Sequence, residues 1–315
     1  MVRQESPQRA TSLPSEPRVF PASHESSQRV TSLRGNSPAF AAILDAAMNS
    51  ASTLPALSCD GRVATISLSH AAKRNALDAD AIRALEERLV EARGAVDARC
   101  SDVVILRGEG AHFCAGFELA RCAEEPRRVE ELLVGLSACV AHLRAIDAPV
   151  VARVQGAALA GGCALLTGCD FVVAAHDAQL GYPVHRIGIS PAVSIPTLLS
   201  RMGPAARELA LSNDIIDGQA AFVRGLATHA VAREMLDAEV DALVARLLAK
   251  GPLAMRETKR WMRAIEERGA GDLGPARVRD AAAMIEARDA SVALGVGEEF
   301  ATMLRAFWAA KSART

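Results

Sequence analysis

Gln155-Gly156-Ala157-Ala158-Leu159-Ala160-Gly161-Gly162-Cys163-Ala164 lies between two apolar runs, Val150-Val151-Ala152-Arg153-Val154 and Phe171-Val172-Val173-Ala174-Ala175. Each run reads as a buried strand, and the glycines between them predict a tight turn that opens a short helix over 161–167. Where an extended segment becomes a helix, unpaired N–H groups and the helix dipole converge on one point, a setting suited to a developing negative charge. The same glycines also serve tight turning and close strand-helix packing, so this loop alone leaves both readings open.

Upstream the alternation continues. A strand is predicted over 63–68, then a loop with Lys73-Arg74-Asn75, a helix over 78–93, a strand over 103–106, a glycine-bearing loop over 108–117 and a helix over 129–146. Asp78 stands before Ile82, Leu85 and Leu89 at helical spacing and is the expected N-cap. The loop carries a second backbone-rich stretch, His112-Phe113-Cys114-Ala115-Gly116-Phe117-Glu118-Leu119. Two N–H groups from such loops, facing one carbonyl oxygen, make an oxyanion hole. Strands alternating with helices place the chain in the α/β class, built from repeated ββα-like units. Beyond about residue 191 the reading is almost all helix, with amphipathic segments at 240–250, 253–265, 281–290 and 298–310. Such a tail commonly packs on a neighbouring subunit.

At 315 residues the chain can bury a full-sized core without a metal or disulfide staple. Its formal net charge of -1 gives no electrostatic reason to expect nucleic acid or an anionic membrane. Aromatic residues make up only 3%, which disfavours base stacking on single strands. The apolar stretch over 154–169 contains Gln155 and four glycines and falls short of the roughly 18 apolar residues of a membrane span. Seven cysteines occur without a CxxC pair or a CxxC…HxxxH pattern, so no metal site is expected and the thiols read as reduced, mostly buried apolar groups. No GxSxG elbow is present, and the turn at 156–162 completes neither a P-loop nor GxGxxG. The α/β-hydrolase, nucleotide-hydrolysing and dinucleotide-binding readings therefore lack support.

Residues 1–55 are rich in Ser, Pro, Arg, Gln and Thr, and a Ser6 to Leu13 octet returns as Ser26 to Leu33. They are expected to form a disordered N-terminal extension. Arginine and serine in excess over acids are compatible with mitochondrial targeting, against which Glu5, Glu16 and Glu25 argue. The cytoplasm is the expected location.

Three ordered motifs carry a resemblance: Arg74-Asn75-Ala76-Leu77, then Phe113-Cys114-Ala115-Gly116-Phe117-Glu118-Leu119, then Gly156 through Gly162 followed by Cys169-Asp170. In this order they are similar to the K/R-N-A-L, F-x-A-G-x-[DE]-L and G-x-x-x-G-G-G motifs of the enoyl-CoA hydratase/isomerase (crotonase) superfamily, with Ala160 replacing the first glycine of the triplet. The resemblance runs from about residue 58 past 260. It implies a crotonase-like spiral of ββα units over 56–250, a helical C-terminal segment over 251–315, and a homotrimer or homohexamer. It implies an acyl-CoA or acyl-carrier-protein thioester as partner and no cofactor, coenzyme A being part of the substrate.

Carried over by residue, the resemblance puts the oxyanion donors on the backbone N–H groups of Phe117 and Gly161. Arg74, Ala76, Ala115, Gly162, Tyr182 and Lys259 are the expected substrate contacts, with Lys73 a further cation for the coenzyme A phosphates. Hydratases of this family carry two glutamates where this chain has Ala164 and Val184. A general acid or base contributes roughly 10²- to 10⁴-fold, so the departure bears on the reaction. His185, beside the vacated position, and Glu118, at a helix start, are the candidate proton carriers, each with a surface or capping role as the alternative. Tyr182 and Ser190 are further titratable or polar candidates. Ala192 occupies the place of the aspartate nucleophile in a dehalogenase branch. The Arg186 to Pro196 stretch resembles the methylglutaconyl-CoA hydratase branch, and hydratase or dehydratase chemistry is the leading expectation. The missing glutamates favour decarboxylation or double-bond isomerisation, or a catalytically silent acyl-CoA-binding homologue.

Overall fold

The computed structural model describes residues 53–122, 125, 127–269 and 297–312. Residues 1–52 of the expected tail and the helix expected at 281–290 lie outside the described residues.

Ala56–Asp60 (β1), Val63–Leu68 (β2), Val103–Gly108 (β3), Val150–Val154 (β4), Phe171–Ala175 (β6) and His229–Val231 (β9) form the larger sheet, with β1 antiparallel to β2 and the other pairs parallel. A smaller sheet contains Ala157–Leu159 (β5), Gln179–Gly181 (β7) and Ile215–Asp217 (β8). The chain leaves β4 for β5 and β6 for β7, so successive ββα units spend one strand in each sheet. That alternation is the spiral expected above.

Long helices join the strands. Ala79–Asp97 (α1) is capped by Asp78, whose carboxylate accepts the Ala81 N–H at 2.8 Å, and buries Ile82, Leu85 and Leu89. Arg128–Ala145 (α2) packs on α1, and the six-residue Gly161–Leu166 (α3) is wholly buried. Ile195–Met202 (α4), Ala205–Ser212 (α5), Gly218–Val223 (α6), Leu236–Leu248 (α7), Pro252–Gly269 (α8) and Glu298–Ser312 (α9) follow. The helical reading beyond residue 191 missed β8 and β9. Each is three residues long, too short to show a period of two, and exists through the pairings Leu180↔Ile216 and Ala174↔Ala230.

The helix α8 docks on the core largely through ions. Arg256 pairs with Asp102 at 2.9 Å, Lys259 with Asp170 at 2.6 Å, Arg260 and Arg263 with Asp147 at 3.0 Å each, and Glu266 with Arg144 at 2.6 Å. Spacings of three and four residues place these groups on one helical face. Glu299 of α9 accepts the N–H groups of Leu253 and Ala254, at 3.0 and 3.1 Å, and so caps the start of α8.

Candidate active site

The loop over 113–118 is held between two neighbours. On one side Leu77 forms a parallel bridge with Phe117: the Leu77 N–H donates to Gly116 O at 2.8 Å, and the Glu118 N–H donates to Leu77 O at 2.9 Å. On the other, Cys114 bridges Ala158, donating to Ala157 O at 2.9 Å and accepting from the Leu159 N–H at 3.0 Å. In a parallel bridge, the residue whose neighbours make the bonds turns its own N–H away from the partner strand. The Phe117 N–H accordingly has no acceptor among the described residues.

At the start of α3 the first intrahelical bond runs from the Ala164 N–H to Ala160 O at 2.9 Å, which leaves the N–H groups of 161–163 without a helical acceptor. Gly161 is the one of these three in a cavity wall, and a Cβ on it would lie 3.3 Å from the Phe117 ring. Gly162 packs instead against Cys114, where an added Cβ would meet Cys114 O at 2.3 Å. Its role is close approach.

Phe117 and Gly161 border a cavity of about 190 Å³, together with Ala115, Ala160, Ala164, Tyr182 and Val184. Leu119, Leu133, Leu136, Ile189 and Val193 make the remainder largely apolar, and Ser190 and Ser194 contribute hydroxyls. Tyr182 is the only residue with an ordinarily titratable side chain among the described lining residues. Its phenol is buried beside Cys163 and Ser194 without a hydrogen-bond partner of good geometry, and burial raises its pKa well above the ordinary 10. It is a neutral donor or acceptor at working pH. The adjoining thiols of Cys114 and Cys163 are pushed up to about 12, chiefly by burial, which rules out a thiolate nucleophile at neutral pH.

The structure places the expected proton carriers elsewhere. His185 sits in an exposed 3₁₀ turn, His185–Ile187, with its ring Nδ1 3.2 Å from Asn213 Oδ1, and does not line the cavity. Glu118 accepts the Ala120 N–H at 3.2 Å, lies 3.8 Å from Lys73 and is not among the residues that line the cavity. Lys259 donates to Ala148 O at 2.9 Å and to Asp170 at 2.6 Å, and so anchors α8 rather than reaching the cavity. Arg74 is exposed, and its carbonyl accepts the Ala115 N–H at 3.0 Å; Ala76 is half-buried next to the Leu77 bridge. A larger cavity of about 480 Å³ lies between α8 and the core, away from both glycine loops.

Two buried amides that sequence reasoning did not single out tie the loop down. Asn75 Nδ2 donates to the carbonyls of Glu109, His112 and Phe113 at 3.0, 2.8 and 3.1 Å. Gln155 Nε2 donates to Gly108 O and Gly110 O at 2.7 and 3.0 Å. The signal for Asn75 was its place in the first motif, and for Gln155 its place before the glycine turn. Replacing Asn75, whose own φ is 54°, by Ala removes its bonds to these carbonyls, of which His112 O keeps a 3.4 Å bond from Gln155 Nε2, and is expected to cost about 1–3 kcal/mol, read as a lower melting temperature. An unchanged melting curve would show that the clamp contributes nothing.

A spiral of ββα units with two N–H-bearing loops at one apolar cavity defines a crotonase-fold protein. The sequence profile of the family described as enoyl-CoA hydratase/isomerase matches residues 59–273, and the chain belongs to that family. It is 32% identical over 202 residues to crotonyl-CoA hydratase of Syntrophomonas wolfei, covering 63% of this chain and 76% of that one. With 2,3-dehydroadipyl-CoA hydratase of Escherichia coli it shares 31% over 212 residues, 65% of this chain and 80% of the relative. Methylglutaconyl-CoA hydratase of Rattus norvegicus is 30% identical over 212 residues, 62% and 64% of the two chains. Among solved structures, AtuE of Pseudomonas aeruginosa superposes with a TM-score of 0.71 at 27% identity, over 80% of this chain and 95% of that one.

Proposed function

We propose that this chain binds an acyl-CoA thioester with its carbonyl oxygen between the N–H groups of Phe117 and Gly161, which stabilise the enolate formed at the α-carbon. The observation that carries the reading is the pair of unpartnered N–H groups in the wall of one apolar cavity. With no carboxylate or imidazole among the described lining residues, the reaction best supported is one that makes the enolate without a side-chain base. Decarboxylation of a malonyl-type thioester does so. The bond from the α-carbon to the carboxylate breaks, carbon dioxide leaves, the electron pair passes into the enolate, and water returns a proton to the α-carbon. An apolar wall assists by stripping water from the carboxylate. Isomerisation requires a group to carry a proton between carbons, and among the described lining residues Tyr182, whose phenol burial holds neutral, is the one titratable side chain to do so.

Hydration or dehydration of an enoyl thioester is the second reading, favoured by the hydratases among the relatives. It requires a proton carried by the substrate or by Tyr182. Assembly as a trimer or hexamer belongs to the same proposal. The test is mass-spectrometric turnover of malonyl-, 2-enoyl-, 3-enoyl- and 3-hydroxyacyl-CoA thioesters in H2O and D2O. Loss of carbon dioxide is expected. Gain or loss of water instead establishes the second reading. Binding with neither conversion nor deuterium exchange at the α-carbon would show a silent acyl-CoA-binding protein.

A further inference from the structure

Ala160 stands immediately before the Gly161 N–H, and its backbone takes φ 49° and ψ −112°. L-residues avoid this region because Cβ crowds the neighbouring carbonyl, whereas glycine enters it freely. Arg74 and Asn213 also have positive φ, but with ψ of 34° and 19° they occupy the ordinary left-handed well. Ala160 lies outside that well. Strain of this kind persists only where the surroundings impose it.

The surroundings are specific. The Ala160 N–H donates to Gly181 O at 2.8 Å, and Ala160 O accepts the Ala164 N–H at 2.9 Å. That carbonyl and the Gly161 N–H belong to one planar peptide and point in opposite directions. Anchoring the carbonyl to α3 therefore aims the N–H the other way. The methyl group adds a second constraint. A Cβ built on Gly116 would meet the Ala160 methyl and Leu159 O at 3.0 Å each, and Gly161 N at 3.6 Å. Gly116 contributes the carbonyl half of the peptide that carries the Phe117 N–H. The Ala160 methyl thus lies beside both N–H-bearing peptides, and it also lines the cavity.

Resting on the enolate-stabilising reading above, we infer that Ala160 is a positioning residue whose methyl group wedges against Gly116 and fixes the aim and separation of the Phe117 and Gly161 N–H groups. Glycine at this position satisfies the turn without strain and lets the 160–161 peptide rotate, which loosens a preorganised pair of donors. An alanine that merely fills space makes the opposite forecast: its removal lowers stability and leaves the donors unchanged.

The test is Ala160→Gly, probed with butyryl-CoA carrying ¹³C at the thioester carbonyl, by difference infrared spectroscopy at saturation. In the parent the carbonyl stretch is expected to move to lower frequency on binding. The variant is expected to bind within about threefold of the parent and to lose roughly half or more of that shift. It should also melt on the order of a few degrees higher, because released strain exceeds the entropy glycine adds to the unfolded chain. An equal carbonyl shift in the two proteins overturns the positioning role, and so does a lower melting temperature of the variant. Butyryl-CoA bound by the parent with no shift at all removes the enolate-stabilising reading itself, and with it this inference.

Discussion

Exchange of the Gly161 amide for an ester, by placing glycolic acid at that position, is expected to lower turnover about a hundred- to a thousandfold. The exchange deletes one N–H and nearly preserves shape. Since that N–H has no acceptor among the described residues, no hydrogen bond donated in the free protein is lost. The ester does weaken Ala160 O as acceptor for the Ala164 N–H, at a cost to stability of about 1 kcal/mol. The control is the same exchange at Gly162, which shares the helix end but packs against Cys114 instead of lining the cavity. Turnover there should stay near the parent value. Equal losses at both positions would point to a damaged helix start rather than a missing donor, and the enolate site would have to be placed elsewhere.

The parts of the fold legible in the sequence were those held by local patterns. Ile82, Leu85 and Leu89 recur at a helical period, and they do line the buried face of α1 behind the Asp78 cap. The runs at 150–154 and 171–175 are strands β4 and β6 because valine-rich stretches, apolar but for Arg153, continue for a full strand length. Strands β5, β7, β8 and β9 carry no such signal. At three residues each, they are defined by which distant strand they meet.

The same division runs through the site. The two glycine loops could be read because each announces a turn where backbone approaches backbone, and Gly162 beside Cys114 is such an approach. The direction of a side chain leaving a turn could not. His185 is drawn outward by Asn213, 28 residues further on, and Lys259 finds Asp170 at a separation of 89 residues. The amide clamps of Asn75 and Gln155 act on carbonyls 34–47 residues away, so composition near either residue says nothing of them. Ala160 is an intermediate case. Its substitution for glycine was visible in the third motif, while the strained ψ that gives the substitution meaning is a property of the folded turn.

Ala164→Glu combined with Val184→Glu is expected to raise hydration of crotonyl-CoA by about 10²- to 10⁴-fold over the parent. The two positions line the same cavity, and its space of about 190 Å³ can receive the longer side chains that alanine and valine leave out. Burial in an apolar wall raises a carboxyl pKa, and two carboxyls sharing one cavity cannot both ionise easily. One protonated and one ionised partner at neutral pH is the state that gives a proton to one carbon and takes one from water. The pH profile of the double variant should therefore be bell-shaped, with its two limbs belonging to the pair. The single variants discriminate further, since either alone supplies an acid or a base but not both, and each should fall well short of the double. If the folded double variant binds crotonyl-CoA and hydrates it no faster than the parent, the absent glutamates are not what separates this chain from a hydratase. If the parent already hydrates at a comparable rate, a proton carrier exists outside Ala164 and Val184, and Tyr182, the only titratable group among the described lining residues, becomes the residue to replace next.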